Sequence, residues 1–463
     1  MNVSAERKLG EKIARELYRD PDYIDDPILA EYVQGIWQPL LAAARARGEL
    51  TPELDDRFAW EVLIGKDRTI NAFALPGGWL GLNLGLVSVT VNRDELASVL
   101  AHELSHVTQR HISRIVTQQN RQAPWVLGAM ILGALAASKS PDAGSALIVG
   151  GQALAAQGQL NFSRDMEREA DRIGYGVMAQ AGFEPQGFVT MFDKLQQAAR
   201  LNDNGSFPYL RSHPMTTERI ADMQSRHQLG SRALVPVAPG MEHAAMAGRA
   251  RVLSNPGVDG LRGYIAEAQA LQAGPTGAKQ VGAFYAAALA SVRLREPAAA
   301  ARWLARLTSA TSGDPRAARQ ARLLAAEIAL GAGDVARATA LLEPGANGRA
   351  ETLLASQAQI QGGRAGDAAQ RLQTWVALHP RDATAWQMLA GAQLAQGNTL
   401  RAIRADAEAQ VAHMDYAAAV DRFRAAQDIV RKGGTGGDHI EASIIDTRAR
   451  QVESLLREQA LER

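Results

Sequence analysis

Hydrophobic and polar positions form three patterns along the chain. From Phe58 to Val89, alternating apolar positions with a turn at Gly65–Asp67 predict β-strands. After Asp94 and Glu95, whose charges suit a helix N-terminus, an apolar run without proline or glycine predicts a buried helix. From about residue 245 onward, alanine, leucine and arginine recur with helical periodicity. These patterns predict a mainly α protein with a small sheet ahead of the buried helix.

Glycine-containing breaks recur at regular intervals in the C-terminal half. Gly333, Gly363 and Gly397 lie 30 and 34 residues apart, close to the tetratricopeptide period. The segment after Pro380 resembles part of such a repeat, whereas the first candidate unit, near residues 300–315, is degenerate. Because an isolated helix pair cannot bury its apolar face, we expect about four pairs stacked into a short α-solenoid. An irregular helical bundle is the alternative.

One apolar region between residues 124 and 156 could suggest a membrane segment. It consists of two glycine- and alanine-rich halves separated by Lys139–Asp142. Neither half reaches the roughly 20 residues needed to span a bilayer. The region predicts a buried helical hairpin or a flap over the site, with membrane association as the alternative. The apolar face of a flap would receive unfolded or membrane-derived substrate.

Composition narrows the functional classes. The chain has 463 residues, enough for two or three domains, and its 50 basic and 49 acidic residues suggest no nucleic-acid partner. Cysteine is absent, which excludes disulfides and thiolate metal sites and fits either the cytoplasm or the periplasm. No apolar signal core follows Met1. We therefore expect either a cytoplasmic protein or the mature form of an exported one with an added methionine.

The segment His102-Glu103-Leu104-Ser105-His106 carries the clearest chemistry. On a helix, positions i and i+4 share a face, so both imidazoles can reach one metal ion. Glu103 is rotated towards the same side, near a metal-bound water, where it can act as a general base. The alternative is a pair of surface histidines. His111, five residues further on, is predicted to point elsewhere, as a surface residue or an indirect support of the site.

A second acidic helix is predicted at Asn161–Gly174, and it offers a third ligand. Glu167 and Asp171 are four residues apart and share a face, so one can bind metal while the other supports it. Metal-bound histidines usually donate their second N–H to a carboxylate, and Asp171 is a suitable acceptor. Glu169 lies about 200° around the helix from Glu167 and is therefore placed outside the site. The alternative is an ordinary charged helix with i,i+4 ion pairs.

Together, H-E-x-x-H and the later E-x-x-x-D resemble the gluzincin peptidases of metallopeptidase family 48, which includes the CaaX prenyl proteases. The resemblance implies one Zn²⁺ per chain, bound by His102, His106 and Glu167. It implies Glu103 as the catalytic base and Asp171 as a catalytic residue that supports the zinc ligands. It extends over residues 1 to about 230 and implies a gluzincin-type α+β protease domain.

Two further segments add to the resemblance. Asn71–Trp79 is similar to the strand beside the active site in these enzymes, where substrate adds as a β-strand, although a simple β-turn fits equally well. Ser212–Ile220 is similar to a His-Pro motif of the periplasmic members. In those members the histidine that matches His213 can be a fourth zinc ligand that closes the site. His213 could instead stabilise an oxyanion, or lie in a loop away from the metal.

The sequence therefore predicts a zinc metalloprotease domain at residues 1–235 and a tetratricopeptide-like repeat domain at residues 236–463. The similar repeat-bearing enzymes act in the periplasm as protease and chaperone for outer-membrane β-barrel proteins. This implies unfolded or misassembled protein substrates and, through the repeats, the outer-membrane assembly machinery as partner. Two alternatives stay open: a non-proteolytic chaperone or adaptor with a silent metal site, and a cytoplasmic or membrane-associated quality-control protease.

Overall fold

The computed structural model describes residues 1–118, 163–200, 207–229, 238–254, 257–342, 347–433 and 438–461. The hairpin or flap predicted at residues 124–156 lies outside these ranges. Within them the protein is mainly helical with one small sheet, as predicted. None of the helices in these ranges is long and apolar enough to cross a bilayer. The chain forms two compact units, Met1–Ala321 and Arg322–Arg463.

The first unit begins with helices whose starts are set by capping side chains. Asn2, Asp26 and Thr51 each accept a hydrogen bond from a backbone N–H three residues later. Proline at the first helical position, where no N–H is needed, reinforces the second and third starts. These helices are α1 (Val3–Arg19), α2 (Pro27–Ala46) and α3 (Pro52–Arg57).

The predicted strands form a three-stranded sheet that is shorter than expected. Its strands, in the order β1-β3-β2, are β1 (Glu61–Gly65), β2 (Ala72–Ala74) and the fully buried β3 (Trp79–Asn83). β3 pairs parallel with β1 and antiparallel with β2. The prediction of strand as far as Val89 is wrong, because Leu84–Val89 is a helix, α4. Its first four residues are all buried, and periodicity cannot distinguish a short buried helix from a buried strand.

Helix α5 (Arg93–Thr108) is the buried helix predicted from the apolar run. Asn92 caps its start by accepting a hydrogen bond from the N–H of Glu95, and α6 (His111–Gln118) follows its end. The acidic helix α7 (Arg164–Gln180) packs against α5. Gly174 permits this close approach, since a Cβ there would lie 3.1 Å from the backbone of Ala101. The contact brings the acidic face of α7 to the histidine face of α5.

The remaining helices of the first unit extend it beyond the boundary predicted at residue 235. Helix α11 (Met241–Ser254) packs against α2 and α4: Arg249 pairs with Asp26, and His243 contacts Tyr32 and Thr90. The compact unit that contains α5 therefore runs to Ala321, because buried polar contacts join these helices to it. The other helices are α8 (Gln186–Arg200), α9 (Tyr209–Ser212), α10 (Thr217–Leu229), α12 (Val258–Leu271), α13 (Ala278–Arg293), α14 (Pro297–Ala310) and α15 (Pro315–Gly331), which crosses the boundary between the two units.

In the second unit, each helix from α17 onward packs on its sequence neighbour, as in a helical repeat. Gly333, Gly363 and Gly397 follow helix ends with φ of 76°, 74° and 77°, a conformation that favours glycine. The predicted glycine breaks are thus helix-terminating residues. The helices are α16 (Val335–Leu341), α17 (Arg349–Gln361), α18 (Ala365–Leu378), α19 (Ala383–Ala395), α20 (Thr399–Ala412), α21 (Tyr416–Arg431) and α22 (His439–Ala460).

Candidate metal centre

The two histidines of H-E-x-x-H converge inside the protein. His102 and His106 lie one turn apart on α5, and their Nε2 atoms are 2.9 Å from each other. Both residues are about 1% exposed. A packed helix therefore holds two imidazole nitrogens where a single metal ion can bind both.

Two further donors reach this pair from other elements. Glu167 on α7 places Oε2 3.5 Å from Nε2 of His102 and Oε1 3.4 Å from Nε2 of His106. His213, which follows α9, places Nδ1 3.3 Å from Nε2 of His102 and 3.1 Å from Oε1 of Glu167. The structure thus brings His213 into the cluster and does not leave it in a remote loop.

The donor set fits a divalent transition metal. Ligand atoms of His102, His106, Glu167 and His213 all lie within 4.8 Å of one another, and the four residues are buried. Imidazole nitrogens and a carboxylate are ligands that zinc takes, and other divalent metals accept the same groups. Buried lone pairs that face one another are costly unless they share a cation. We refer to these four residues as the metal cluster.

Asp171 contacts His102 on the side away from the metal cluster. It lies one turn after Glu167 on α7, and its Oδ1 is 2.8 Å from Nδ1 of His102. A carboxylate at this distance orients the ring so that Nε2 faces the other ligands. Although burial disfavours a charged imidazole, Asp171 and Glu167 raise the pKa of His102 to about 10. The buried carboxylates therefore favour a cation at this position, and a metal ion bound to a neutral His102 can supply that charge.

His106 and Glu167 have the ionisation states that metal binding needs. Burial lowers the pKa of His106 well below its usual range, despite the opposing effect of Glu167. Burial alone would raise the pKa of Glu167, but His213, His102 and His106 together hold it well below its usual range. A neutral imidazole and a charged carboxylate are the forms that bind a metal ion.

Glu103 is buried beside the metal cluster, and only one of its two carboxylate oxygens accepts a hydrogen bond from a described residue. The backbone N–H of Ala74, in β2, donates to its Oε2 at 2.9 Å. Its Oε1 hydrogen-bonds to no described residue, although Nε2 of His213 lies 3.4 Å away. Burial raises the pKa of Glu103. The carboxylate is therefore positioned by the edge strand and has an oxygen available for a proton.

Arg219 is a site residue that the sequence reasoning missed. Its Nε and Nη2 donate to the two carboxylate oxygens of Asp171 at 2.7 and 2.8 Å, and its Nη1 lies 2.8 Å from Oε2 of Glu167. Burial would raise the pKa of Asp171, but Arg219 holds it below its usual range. Three clustered carboxylates need a positive counter-charge. The arginine within the Ser212–Ile220 motif was the sequence signal that could have identified Arg219 as that counter-charge.

Two contacts hold the His213 segment against the site. The ring of Tyr209 stacks on His213 with centroids 4.5 Å apart and planes at 23°. Nη1 of Arg219 donates to the carbonyl of Pro214 at 2.9 Å. The side chain that pairs with Asp171 thus also binds the backbone next to His213, so the segment and the carboxylates are linked.

The alternative of a surface position for His111 is wrong. His111 is fully buried, and its Nδ1 lies 2.8 Å from Nδ1 of His106. Arg110 has a φ of 53°, and this left-handed turn folds the chain back after α5, which a helical-wheel extrapolation cannot anticipate. Glu169 lies off the Glu167 face as predicted, but its Oε2 is 3.1 Å from Nε2 of His111. Glu169 therefore reaches the metal ligand His106 through His111.

Comparison with known proteins assigns the chain to a family. The sequence pattern of peptidase family M48 matches residues 30–227, which contain the whole metal cluster. The β-barrel assembly-enhancing protease of Escherichia coli K12 is 30% identical over 460 residues, which cover 97% of this chain and 89% of that protein. The chain belongs to peptidase family M48 and is a metallopeptidase.

Other relatives match a shorter part. Proteins of Vibrio cholerae and Yersinia pestis are 35% identical over 230 residues, 49% of this chain but only 45% and 44% of their own lengths. The Yersinia pestis protein is also a β-barrel assembly-enhancing protease. The mitochondrial metalloendopeptidase OMA1 of Saccharomyces cerevisiae is 28% identical over 196 residues, 41% of this chain and 54% of that protein. These alignments span about half of the relatives, whereas the Escherichia coli alignment includes the repeat region.

Proposed function

We propose that the chain is a zinc-dependent endopeptidase in which His102, His106 and Glu167 bind one Zn²⁺. The observation that carries the proposal is a buried cluster of four converging donors beside a carboxylate oxygen, Oε1 of Glu103, that bonds to no described residue. A bound zinc ion would polarise the peptide carbonyl and make its water more acidic. Asp171 keeps His102 oriented, and Arg219 partly balances the negative charge of Glu167 and Asp171.

Glu103 is the general base of this proposal. The N–H of Ala74 fixes Oε2, so the carboxylate cannot rotate away from the metal cluster. Oε1 then accepts a proton from the attacking water and returns it to the leaving nitrogen of the cleaved peptide. A raised pKa suits this role, because the group must both take and release a proton near neutral pH.

His213 is proposed as a fourth ligand that closes the resting site. Its Nδ1 faces Glu167 and His102, and its Nε2 lies 3.4 Å from Oε1 of Glu103. The ring thus occupies the space between the base and the ligands, where a substrate and its water must enter. This arrangement supports the closing role over oxyanion stabilisation, which requires the ring to face an open site.

Casein cleavage by His213→Ala tests that role. If His213 closes the site, the variant cleaves casein faster than the wild type and keeps its zinc, because three ligands remain. The double variant His213→Ala with Glu103→Gln controls for contaminating proteases and is expected to be inactive. Slower cleavage by His213→Ala would eliminate the closing role and favour oxyanion stabilisation.

The zinc site itself is tested by metal content. Plasma mass spectrometry on freshly purified protein is expected to find about one zinc per wild-type chain and little in Glu167→Ala. Asp165→Ala, at an exposed position on the same helix, is the control that should keep most of its zinc. A wild type that neither contains metal nor retains added zinc would overturn the enzyme proposal.

The substrate and location are proposed from the relatives. The Escherichia coli relative is named a β-barrel assembly-enhancing protease and aligns over almost the whole chain. The protein is therefore proposed to act in the periplasm on misfolded or stalled outer-membrane β-barrel proteins, as protease and chaperone. The repeats would bind unfolded substrates or the assembly machinery, since solenoids present extended binding surfaces.

A purely non-proteolytic chaperone is the competing function. Expression of Glu103→Gln in a bacterial strain that lacks its own copy separates the two. Loss of outer-membrane integrity in that strain supports the protease, whereas full rescue by Glu103→Gln would move the cellular function to the repeats. Retention of zinc by the variant shows that only the base was removed.

A further inference from the structure

A histidine without a role in the proposed mechanism lies directly behind the metal cluster. Nδ1 of His111 is 2.8 Å from Nδ1 of His106, and Nε2 on the other side of its ring is 3.1 Å from Oε2 of Glu169. Arg114 donates to the same oxygen at 2.6 Å. Side chains from α5, α6 and α7 thus form a continuous line from a metal ligand towards the surface.

Metal binding by His106 determines where the protons in this line lie. Nε2 of His106 faces the other ligands, so a metal-bound His106 is neutral and carries its proton on Nδ1. His106 therefore donates, and Nδ1 of His111 accepts. A neutral His111 then carries its proton on Nε2, which faces the acceptor Oε2 of Glu169. One consistent set of tautomers satisfies every distance in the line.

We propose that His111 is a positioning residue that holds His106 in its metal-binding tautomer and orientation, with Glu169 as its anchor. The inference rests on the proposed zinc site. On the other histidine ligand, Asp171 occupies the corresponding position, 2.8 Å from Nδ1 of His102. The two ligands are therefore supported differently, one by a carboxylate and one by an imidazole that a carboxylate orients.

Charge explains why an imidazole suits this position. Glu103, Glu167 and Asp171 already place three buried carboxylates at the site, against the guanidinium of Arg219. A further buried carboxylate facing His106 would add negative charge without a partner. A neutral imidazole accepts the same hydrogen bond without that charge. The carboxylate that orients it, Glu169, lies where its side chain is 29% exposed and where Arg114 pairs with it.

The local backbone is fixed in the conformation that makes this contact. Arg110 has a φ of 53°, an uncommon conformation for a residue other than glycine. Its side chain is tied down by the buried Glu6, whose Oε2 accepts from Nε at 2.9 Å. The turn at Arg110 places His111 at the start of α6, where its ring faces back towards α5. The contact is thus part of a rigid framework, as the placement of a ligand requires.

Zinc dissociation constants of the full-length protein, from competition with a chromophoric chelator, test the proposal. His111→Leu removes the acceptor at similar volume, and we expect about 10–100-fold weaker zinc binding. In His111→Asn, the amide oxygen lies near the position of Nδ1 and can still accept from His106. We expect this variant to bind zinc nearly as tightly as the wild type. A merely structural role predicts no such rescue.

Two controls match these variants. His243→Leu removes another buried histidine, remote from the metal cluster, and should lower stability without changing zinc affinity. Glu169→Met, which removes both acceptor oxygens, is matched by Glu218→Met, because both carboxylates pair with arginines and line the same cavity of about 600 Å³. Of these two carboxylates Glu169 contacts His111, so Glu169→Met should weaken zinc binding and Glu218→Met should not. The visible spectrum of Co²⁺-substituted protein should shift in His111→Leu and stay unchanged in Glu218→Met.

Each outcome addresses one proposal. No zinc binding by the wild type would overturn the proposed function. Zinc binding by the wild type and His111→Leu with equal affinity would overturn only the role of His111. Equal losses of affinity and stability in His111→Leu and His111→Asn would assign His111 to packing. If His111→Leu does not fold, equal zinc affinities of Glu169→Met and Glu218→Met would overturn the role.

Discussion

The two compact units bury different chemistry. Around the metal cluster of the first unit, eight ionisable residues are each at most 3% exposed: His102, Glu103, His106, His111, Glu167, Asp171, His213 and Arg219. A central core of the second unit instead consists of alanine, leucine, valine and tryptophan. Burying ionisable groups is costly unless each is paired. The buried ionisable residues around the metal cluster are therefore better explained by chemistry than by stability.

The charged pairs of the second unit follow its repeats. Arg349 pairs with Asp382, 33 residues away, and Arg404 pairs with Glu441, 37 residues away. These separations are close to one repeat, so similar pairs connect successive helix pairs. The pairs at the metal cluster occur once and converge on one point. A repeated pattern suits stability along a solenoid, whereas an unrepeated cluster suits catalysis.

The sharpest test of this contrast is removal of the base. In Glu103→Gln the amide oxygen can still accept from the N–H of Ala74, so the fold and the metal ligands stay in place. We expect kcat/KM on a fluorogenic peptide to fall by about 10²–10⁴-fold, with zinc content and Tm close to the wild type. Near-normal cleavage by the variant would exclude Glu103 as the base.

The next largest effect concerns the counter-charge at the metal cluster. Arg219→Met leaves the buried carboxylate of Asp171 without its partner and should cost about 3–5 kcal/mol of unfolding free energy. Arg226→Met, also on α10, breaks the half-buried pair with Asp222 and should cost less than about 1 kcal/mol. Urea denaturation followed by circular dichroism measures both. Equal losses of unfolding free energy in the two variants would show that burial does not raise the cost of breaking the Arg219–Asp171 pair.

The next prediction concerns an apolar side chain in the core of the second unit. Leu372 is fully buried there, and Leu372→Ala should cost about 2–5 kcal/mol through lost burial and a new cavity. Zinc content, measured by plasma mass spectrometry, should stay at the wild-type level because the metal cluster lies in the first unit. Loss of zinc in Leu372→Ala would contradict the division of roles between the units.

The smallest effect is the pH dependence due to His243. Burial lowers its pKa to about 4, whereas an unfolded histidine has a pKa of about 6.5. Between these values only the unfolded chain binds the proton, so stability falls as the pH drops from 6.5 to 4. By pH 4.5 the loss is about 2–3 kcal/mol.

Urea denaturation of chelator-treated protein at pH 7.5 and 4.5 measures this loss. His243→Gln should lose less stability than the wild type between the two pH values, even if it is less stable at both. An identical loss in the two proteins would show that His243 is not a cause of acid destabilisation.

Much of the site was accessible from residue spacing. The spacing of His102 and His106 placed both on one helix face, and that of Glu167 and Asp171 did the same on a second helix. Helical geometry depends only on sequence separation, so these local predictions need no tertiary information. The glycine breaks of the repeat region are likewise local, because helix ends favour glycine at a positive φ.

The sequence by itself determined the type of element at each motif, the donor residues and the family resemblance. Only the tertiary structure decided which motifs meet. It brought His213 into the metal cluster, turned His111 inward at Arg110 and brought Arg219 to Asp171. These contacts join residues from separate elements or follow an unusual backbone turn, and local periodicity carries no information about either. The packing of α5 against α7 brings the two motifs together, and residue spacing alone does not predict that contact.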